Sequence, residues 1–184
     1  MPLLNNNDQK NEIINGVIYD MSPSAGFSHM QVNGNIYTLI RNSLKSSVCA
    51  VSMENLDLYL SEDEYVIPDI MILCDRSHIK HGKYSGIPRF IVETLSPSTA
   101  LKDRTVKKEK YAQLGVDEYW IVDSRGTSIE IYYLKETKYE LVNALILDND
   151  PESPHYNAET LLTLRAFPSV SMKLQDIFEG IENS

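Results

Sequence analysis

Two short apolar runs, each broken by one acidic residue, restrict the fold of this 184-residue chain more than any other feature. Val66 to Cys74 reads Val-Ile-Pro-Asp-Ile-Met-Ile-Leu-Cys, and Arg89 to Leu95 reads Arg-Phe-Ile-Val-Glu-Thr-Leu. Near-continuous apolar runs of this length suit strands buried on both faces. A carboxylate inside such a strand costs several kcal/mol, on the order of what breaking a buried ion pair costs, unless it is paired or binds a cation. Asp69 and Glu93 therefore need a common explanation. Adjacent strands would let the two side chains converge at one end of a sheet.

The rest of the chain supplies the frame. Glu12 to Asp20 predicts a hairpin, because Asn15-Gly16 is a turn pair that tolerates positive φ and is flanked by Ile13, Ile14, Val17 and Ile18. A turn through Ser22-Pro23-Ser24 precedes a first helix over 29 to 45, with Met30, Ile36, Leu39, Ile40 and Leu44 at nearly helical spacing. Val48 to Ser52, Leu56 to Leu60 and Val66 to Cys74 read as strands, and Arg89 to Leu95 follows a Gly- and His-containing loop. A second helix over 103 to 114 stops at Gly115. Glu118 to Asp123 is a further strand, Ser128 to Leu134 pairs with Tyr139 to Val142, and a short amphipathic piece, Leu174 to Phe178, closes the chain. The expected class is α/β in the α+β sense: a central mixed sheet flanked by helices, as one domain over 1–184 with a flexible stretch at 1–10.

Composition narrows the function. No apolar run approaches the length needed to span a bilayer, so a cytoplasmic protein with no membrane partner is expected. Cys49 and Cys74 match no zinc spacing and are read as buried apolar thiols. A net charge of -9 argues against nucleic acid, since Lys and Arg dominate that affinity. The charge is uneven, however. Residues 76 to 110 carry nine Lys or Arg against three acids, a local balance of +6 that leaves -15 for the remainder. An acidic body with a basic face fits a phosphate backbone, and a solvated basic helix fits equally well.

Hard divalent cations take oxygen ligands, often one or two carboxylates plus water and phosphate. Asp69 and Glu93 are the candidate ligands, with Lys107 to offset charge at a reacting phosphate. On a helix over 103 to 114, Asp103, Lys107 and Tyr111 share a face. Lys110 lies on nearly the same face, whereas Lys108 points away. Plainer readings stay open: Asp69 as a turn cap after Pro68, Glu93 as a salt-bridge partner of Lys107, and Lys107 as a solvated helix lysine. Glu12 and His29 are possible secondary site residues, a strand-edge acid and a helix-start histidine in their plainer readings. His78 and His81 are expected to be exposed, and Tyr119 and Trp120 to lie in the core.

Taken together, Val66-Ile-Pro-Asp69, Phe90-Ile-Val-Glu93-Thr-Leu-Ser-Pro-Ser-Thr99, Asp103-x3-Lys107-x3-Tyr111, Gly115-Val116 and Glu118-Tyr-Trp-Ile-Val-Asp123 resemble the Uma-type endonuclease family of the PD-(D/E)XK nuclease superfamily. Glu12-Ile-Ile-Asn-Gly16 and His29 resemble its N-terminal pattern. The resemblance covers nearly the whole chain. It implies the restriction-endonuclease-like fold and Mg²⁺-dependent phosphodiester hydrolysis; Mn²⁺ is the expected substitute ion, and the expected substrate is nucleic acid, with DNA preferred to RNA. Asp69 and Glu93 would be metal ligands and Lys107 the catalytic lysine. The superfamily motif places its lysine where Leu95 stands, so Lys107 would restore the set from the following helix. A homodimer is expected of a double-strand cutter. Two rivals belong to other classes: an inactive nuclease scaffold that binds nucleic acid or protein, and a structural homodimer pairing through the Ser128 to Val142 hairpin.

Overall fold

The computed structural model describes residues 10–21 and 26–181. The expected turn at Ser22-Pro23-Ser24 and most of the stretch 1–10 lie outside the described residues.

Hairpin β1 (Asn11–Ile14) and β2 (Val17–Asp20) turns through Asn15 and Gly16, both at positive φ, as the Asn-Gly pair predicts. Helix α1 (Phe27–Ser43) begins two residues before the expected start and buries Val32, Asn33, Ile36 and Ile40, while Met30 is exposed. Strands β3 (Ala50–Met53) and β4 (Asp57–Tyr59) follow.

The run Val66 to Cys74 is not one strand. It divides into β5 (Tyr65–Val66) and β6 (Ile70–Leu73), and the halves join different sheets. Pro68 lies at the break. Its ring carries no N–H for a ladder bond, so a central strand cannot run through it. Hairpin β7 (Ile79–Lys80) and β8 (Lys83–Tyr84), which the sequence reading left as loop, precedes β9 (Phe90–Thr94).

The second helix is longer than expected and irregular. It runs as α2 (Ala100–Lys102), a π-helical turn (Asp103–Lys107) and α3 (Lys108–Leu114), ending at Gly115 with φ 93°. Strand β10 (Glu118–Asp123) has the expected bounds, and β11 (Ser128–Lys135) pairs with a longer β12 (Lys138–Ile146). A hairpin of β13 (Leu161–Leu164) and β14 (Phe167–Lys173) leads into α4 (Leu174–Ile177).

The central sheet has the order β12-β11-β10-β9-β6-β3, with β9 and β10 parallel and the other pairs antiparallel. A second sheet, β2-β1-β5-β4-β8-β7, covers part of one face. Alternation along the strands sorts the core into two layers. Ile70, Ile72, Phe90, Val92 and Trp120 pack against α1 and the β13–β14 hairpin. Met71, Leu73, Ile91, Tyr119 and Ile121 pack against Tyr111 of α3 and against Ile14, Leu58 and Val66 of the second sheet.

The reading of Cys49 and Cys74 as buried thiols is corrected. They are half-buried and joined by a disulfide, with Cα atoms 3.9 Å apart. The pair stands one step beyond Ala50 and Leu73, which face each other across β3 and β6, so antiparallel register brings together two residues distant in sequence.

Candidate active site

Glu93 shares a face of β9 with Ile91 and Leu95, and that face looks toward the π turn and α3. Its Oε1 accepts hydrogen bonds from Lys107 Nζ at 2.9 Å and from the Tyr111 hydroxyl at 2.6 Å. Lys107 Nζ also lies 2.7 Å from Glu12 Oε1 and 3.8 Å from Asp103 Oδ1. Glu12 Oε1 accepts the Ile67 N–H at 3.0 Å as well, and Lys102 Nζ donates to Glu12 Oε2. Lys107 is 3 % exposed, which removes the solvated-lysine reading, and Glu93 is its salt-bridge partner.

The charges in this cluster do not balance. Burial raises the proton affinity of Glu93 well above that of an ordinary glutamate; Lys107 works against the rise, while Asp103, Asp69 and Glu12 add to it. Asp103 is raised for the same first reason, with Lys107 and the nearby Thr99 hydroxyl tempering it. Among the described residues, neither Asp103 oxygen accepts a hydrogen bond of ordinary length. Burial also works to raise Glu12, but Lys107 and Lys102 outweigh it and the carboxyl is lowered. For Lys107, burial favours the neutral amine, yet Glu93, Glu12 and Asp103 prevail and hold it protonated. Among the described residues, the carboxyls of Glu12, Glu93, Asp103 and the neighbouring Asp69 thus outnumber the ammonium groups of Lys102 and Lys107, with His29 beside Asp69.

Asp69 stands one step beyond the Ile70–Val92 pair, so the antiparallel register of β6 and β9 sets it opposite Glu93. Its Oδ2 accepts the Thr94 N–H at 2.7 Å and lies 3.4 Å from His29 Nε2. The other ring nitrogen of His29 is 3.3 Å from Asn33 Nδ2, one helical turn along α1, and Asn33 Oδ1 accepts the Thr94 hydroxyl at 2.6 Å. Glu54 completes this group. Its N–H donates to the Asp69 carbonyl at 2.9 Å, and one potential ligand atom from each of His29, Glu54 and Asp69 falls within 4.8 Å of the others. Burial works to lower the pKa of His29, but its hydrogen bond to the Asp69 carboxylate and the charge there raise it.

The structure therefore brings together Glu93, Lys107, Tyr111, Asp103 and Glu12, with Asp69 and His29 beside them. Lys110 does not join: its Nζ is 2.7 Å from Glu64 Oε2. Lys108 points elsewhere, as expected, with Nζ 4.4 Å from the centre of the Tyr132 ring. The expected basic face is largely neutralised, because Arg89, Lys102, Arg104, Lys107 and Lys110 all pair with carboxylates. His78 and His81 are exposed, and Tyr119 and Trp120 are fully buried. Sequence reasoning missed Glu54, Lys102, Asn33 and Thr94. Asn33 had a signal, being a polar residue within one turn of His29 and Ile36 on the buried helix face.

A mixed sheet with paired carboxylates at one strand end and a buried lysine against them defines the restriction-endonuclease-like class. Residues 1–172 match the family described as "Uma2: Putative restriction endonuclease", and the chain belongs to that family. A relative in Synechocystis sp., an uncharacterized protein, is 26% identical over 175 residues, which cover 94% of this chain and 85% of that one. A solved structure of "a putative nuclease belonging to DUF820" from Anabaena variabilis is similar in fold, with a TM-score of 0.69 at 16% identity over 91% of this chain and 89% of that one. Among the described residues no helix is long and apolar enough to cross a membrane.

Proposed function

We propose that the protein is a metal-dependent endonuclease that hydrolyses phosphodiester bonds of DNA, with Mg²⁺ or Mn²⁺ near Asp69 and Glu93 and with Lys107 as the catalytic lysine. One observation carries the reading: Asp69 lies opposite Glu93 in strand register while Lys107 Nζ sits 2.9 Å from the Glu93 carboxylate. The donor set fits a hard cation, since among the described residues the buried carboxyls outnumber the ammonium groups and both Asp103 oxygens are left without hydrogen-bond partners of ordinary length. A cation bound there would polarise a phosphoryl oxygen and lower the pKa of a coordinated water.

The chain's own residues supply position and charge. Lys107, kept protonated by its carboxylate neighbours, holds a positive charge beside the place where negative charge would grow on phosphorus. Tyr111 and Lys107 fix one oxygen of Glu93, and Glu12 steadies Lys107 from the other side. The test is nicking of supercoiled plasmid with Mg²⁺ or Mn²⁺. Asp69→Asn and Lys107→Met, each checked for native circular dichroism, are expected to abolish it. Cleavage that survives in both would sink the assignment.

A second reading, a nuclease scaffold that binds without cutting, is favoured by the closure of three carboxylates around Lys107. Calorimetry separates the two. Divalent binding that depends on Asp69 and Glu93 supports the nuclease, and its absence supports the binding module. A homodimer, supported by the exposed Leu141 and Val142 on β12, is tested by light scattering.

A further inference from the structure

We infer that the cation site of this nuclease is completed by the imidazole Nε2 of His29 and the carboxylate of Glu54, with Asp69 as the ligand they share. The inference rests on the proposed nuclease reading and deepens it by naming the ligand set. Three separate elements converge to make it: His29 from the first turns of α1, Glu54 from the bend after β3, and Asp69 from the break before β6. One donor atom from each lies within 4.8 Å of the others, close to the span across a six-coordinate ion. The Glu54 N–H bond to the Asp69 carbonyl, 2.9 Å, ties the two carboxylate-bearing turns together. Glu93, by contrast, has Oε1 committed to Lys107 and Tyr111.

Asn33 supplies the outer contact that a metal-binding histidine needs. Such histidines present one ring nitrogen to the ion and donate the other N–H to a fixed acceptor. Asn33 lies against His29 Nδ1 and is held on its far side by the Thr94 hydroxyl. A hydroxyl both donates and accepts, so the Asn33 amide can turn over without losing Thr94. In the turned orientation, Asn33 Oδ1 accepts Nδ1–H and the Nε2 lone pair faces Asp69. This also explains why an asparagine is buried on the sheet-facing side of α1. An imidazole among the ligands moves the preference away from Mg²⁺ and toward first-row transition ions, for which Mn²⁺ is the spectroscopic probe.

Mn²⁺ titration of the intact protein, followed by electron paramagnetic resonance with echo-envelope detection of nitrogen coupling, tests the assignment. Bound Mn²⁺ is expected to show histidine nitrogen coupling in the wild type. His29→Gln is expected to abolish the coupling, and both His29→Gln and Glu54→Gln to weaken Mn²⁺ binding about tenfold or more. Bound Mn²⁺ without nitrogen coupling, or unchanged affinity in both variants, overturns the inference and leaves His29 as an ion-pair partner of Asp69. The nuclease reading fails separately, if Asp69→Asn and Lys107→Met still nick plasmid.

Discussion

Glu93 and Asp69 face each other across neighbouring strands, yet they live in different surroundings. Glu93 belongs to a closed set in which Lys107 bridges it to Glu12 and lies 3.8 Å from Asp103, all of them nearly inaccessible. Asp69 belongs to an open set with His29 and Glu54, and its side chain keeps 15% of its surface against 12% for His29. The closed set holds its carboxyls around a lysine; the open set holds its carboxylates beside a histidine. A buried ammonium cannot be exchanged for an ion without unfolding its surroundings, whereas a partly exposed imidazole can give up a proton. The contrast assigns fixed charge to one side of the site and exchangeable charge to the other.

The sharpest way to break that division is Lys107→Met. It would leave Glu12, Glu93 and Asp103 buried without a shared cation, and the expected loss is roughly 3 to 5 kcal/mol in urea unfolding at neutral pH. A loss below about 1 kcal/mol would show that the closed set is open to solvent.

Next in size is the disulfide. Cys49–Cys74 clamps the end of the β3–β6 ribbon opposite to the one that carries Glu54 and Asp69. Closing a loop with a sequence separation of 25 residues stabilises by on the order of 3 kcal/mol through the unfolded chain. Reduction should lower the urea midpoint accordingly and weaken Mn²⁺ binding, while the Lys107 cluster keeps its protection in amide exchange. Equal loss of protection in both sets would end the distinction between them.

Glu118 sharpens the comparison, because it buries a carboxylate with neutral donors instead of a lysine. Trp120 Nε1 and the Arg165 N–H each donate to it at 2.7 Å, and burial still pushes its pKa up to about 7. The folded protein holds this proton more tightly than the unfolded chain does. Stability should therefore fall as pH rises from the ordinary 4.5 toward about 7, by on the order of 3 kcal/mol, and level off above. Thermal melts of Glu118→Gln should lack that slope. The smallest effect is expected from Lys110→Ala: its pair with Glu64 lies near the surface, and the loss should stay under about 1 kcal/mol with nicking unchanged.

Much of the site was legible because acids in apolar strands are conspicuous. Asp69 and Glu93 stood out against Ile and Val, and the spacing of Asp103, Lys107 and Tyr111 placed them on one face. Glu54 was not legible, since an acid in a polar turn looks like any solvated residue until the fold sets it beside Asp69. Lys102 was hidden similarly, because its partner Glu12 is 90 residues away. In the fold, strand β10 was read to the residue, while the β13–β14 hairpin was missed. Leu162, Leu164, Val170 and Met172 alternate inward as strands should, but the runs are short and Pro168 interrupts the second. The disulfide escaped because sequence separation says nothing about register.

The π turn over Asp103–Lys107 sets the phase of everything after it. A helix advances roughly 100° per residue, so deleting one residue from this turn would make a more regular helix and swing Tyr111 and its successors out of line with Asp103. The wide turn thus works as a spacer: the chain accepts a poorer helix so that residues on either side of it reach the same point. Insertions and deletions there should be tolerated far less than in the neighbouring loops, and a copy of this chain one residue shorter at that place would have a more regular helix and have lost the alignment of Asp103 with Tyr111.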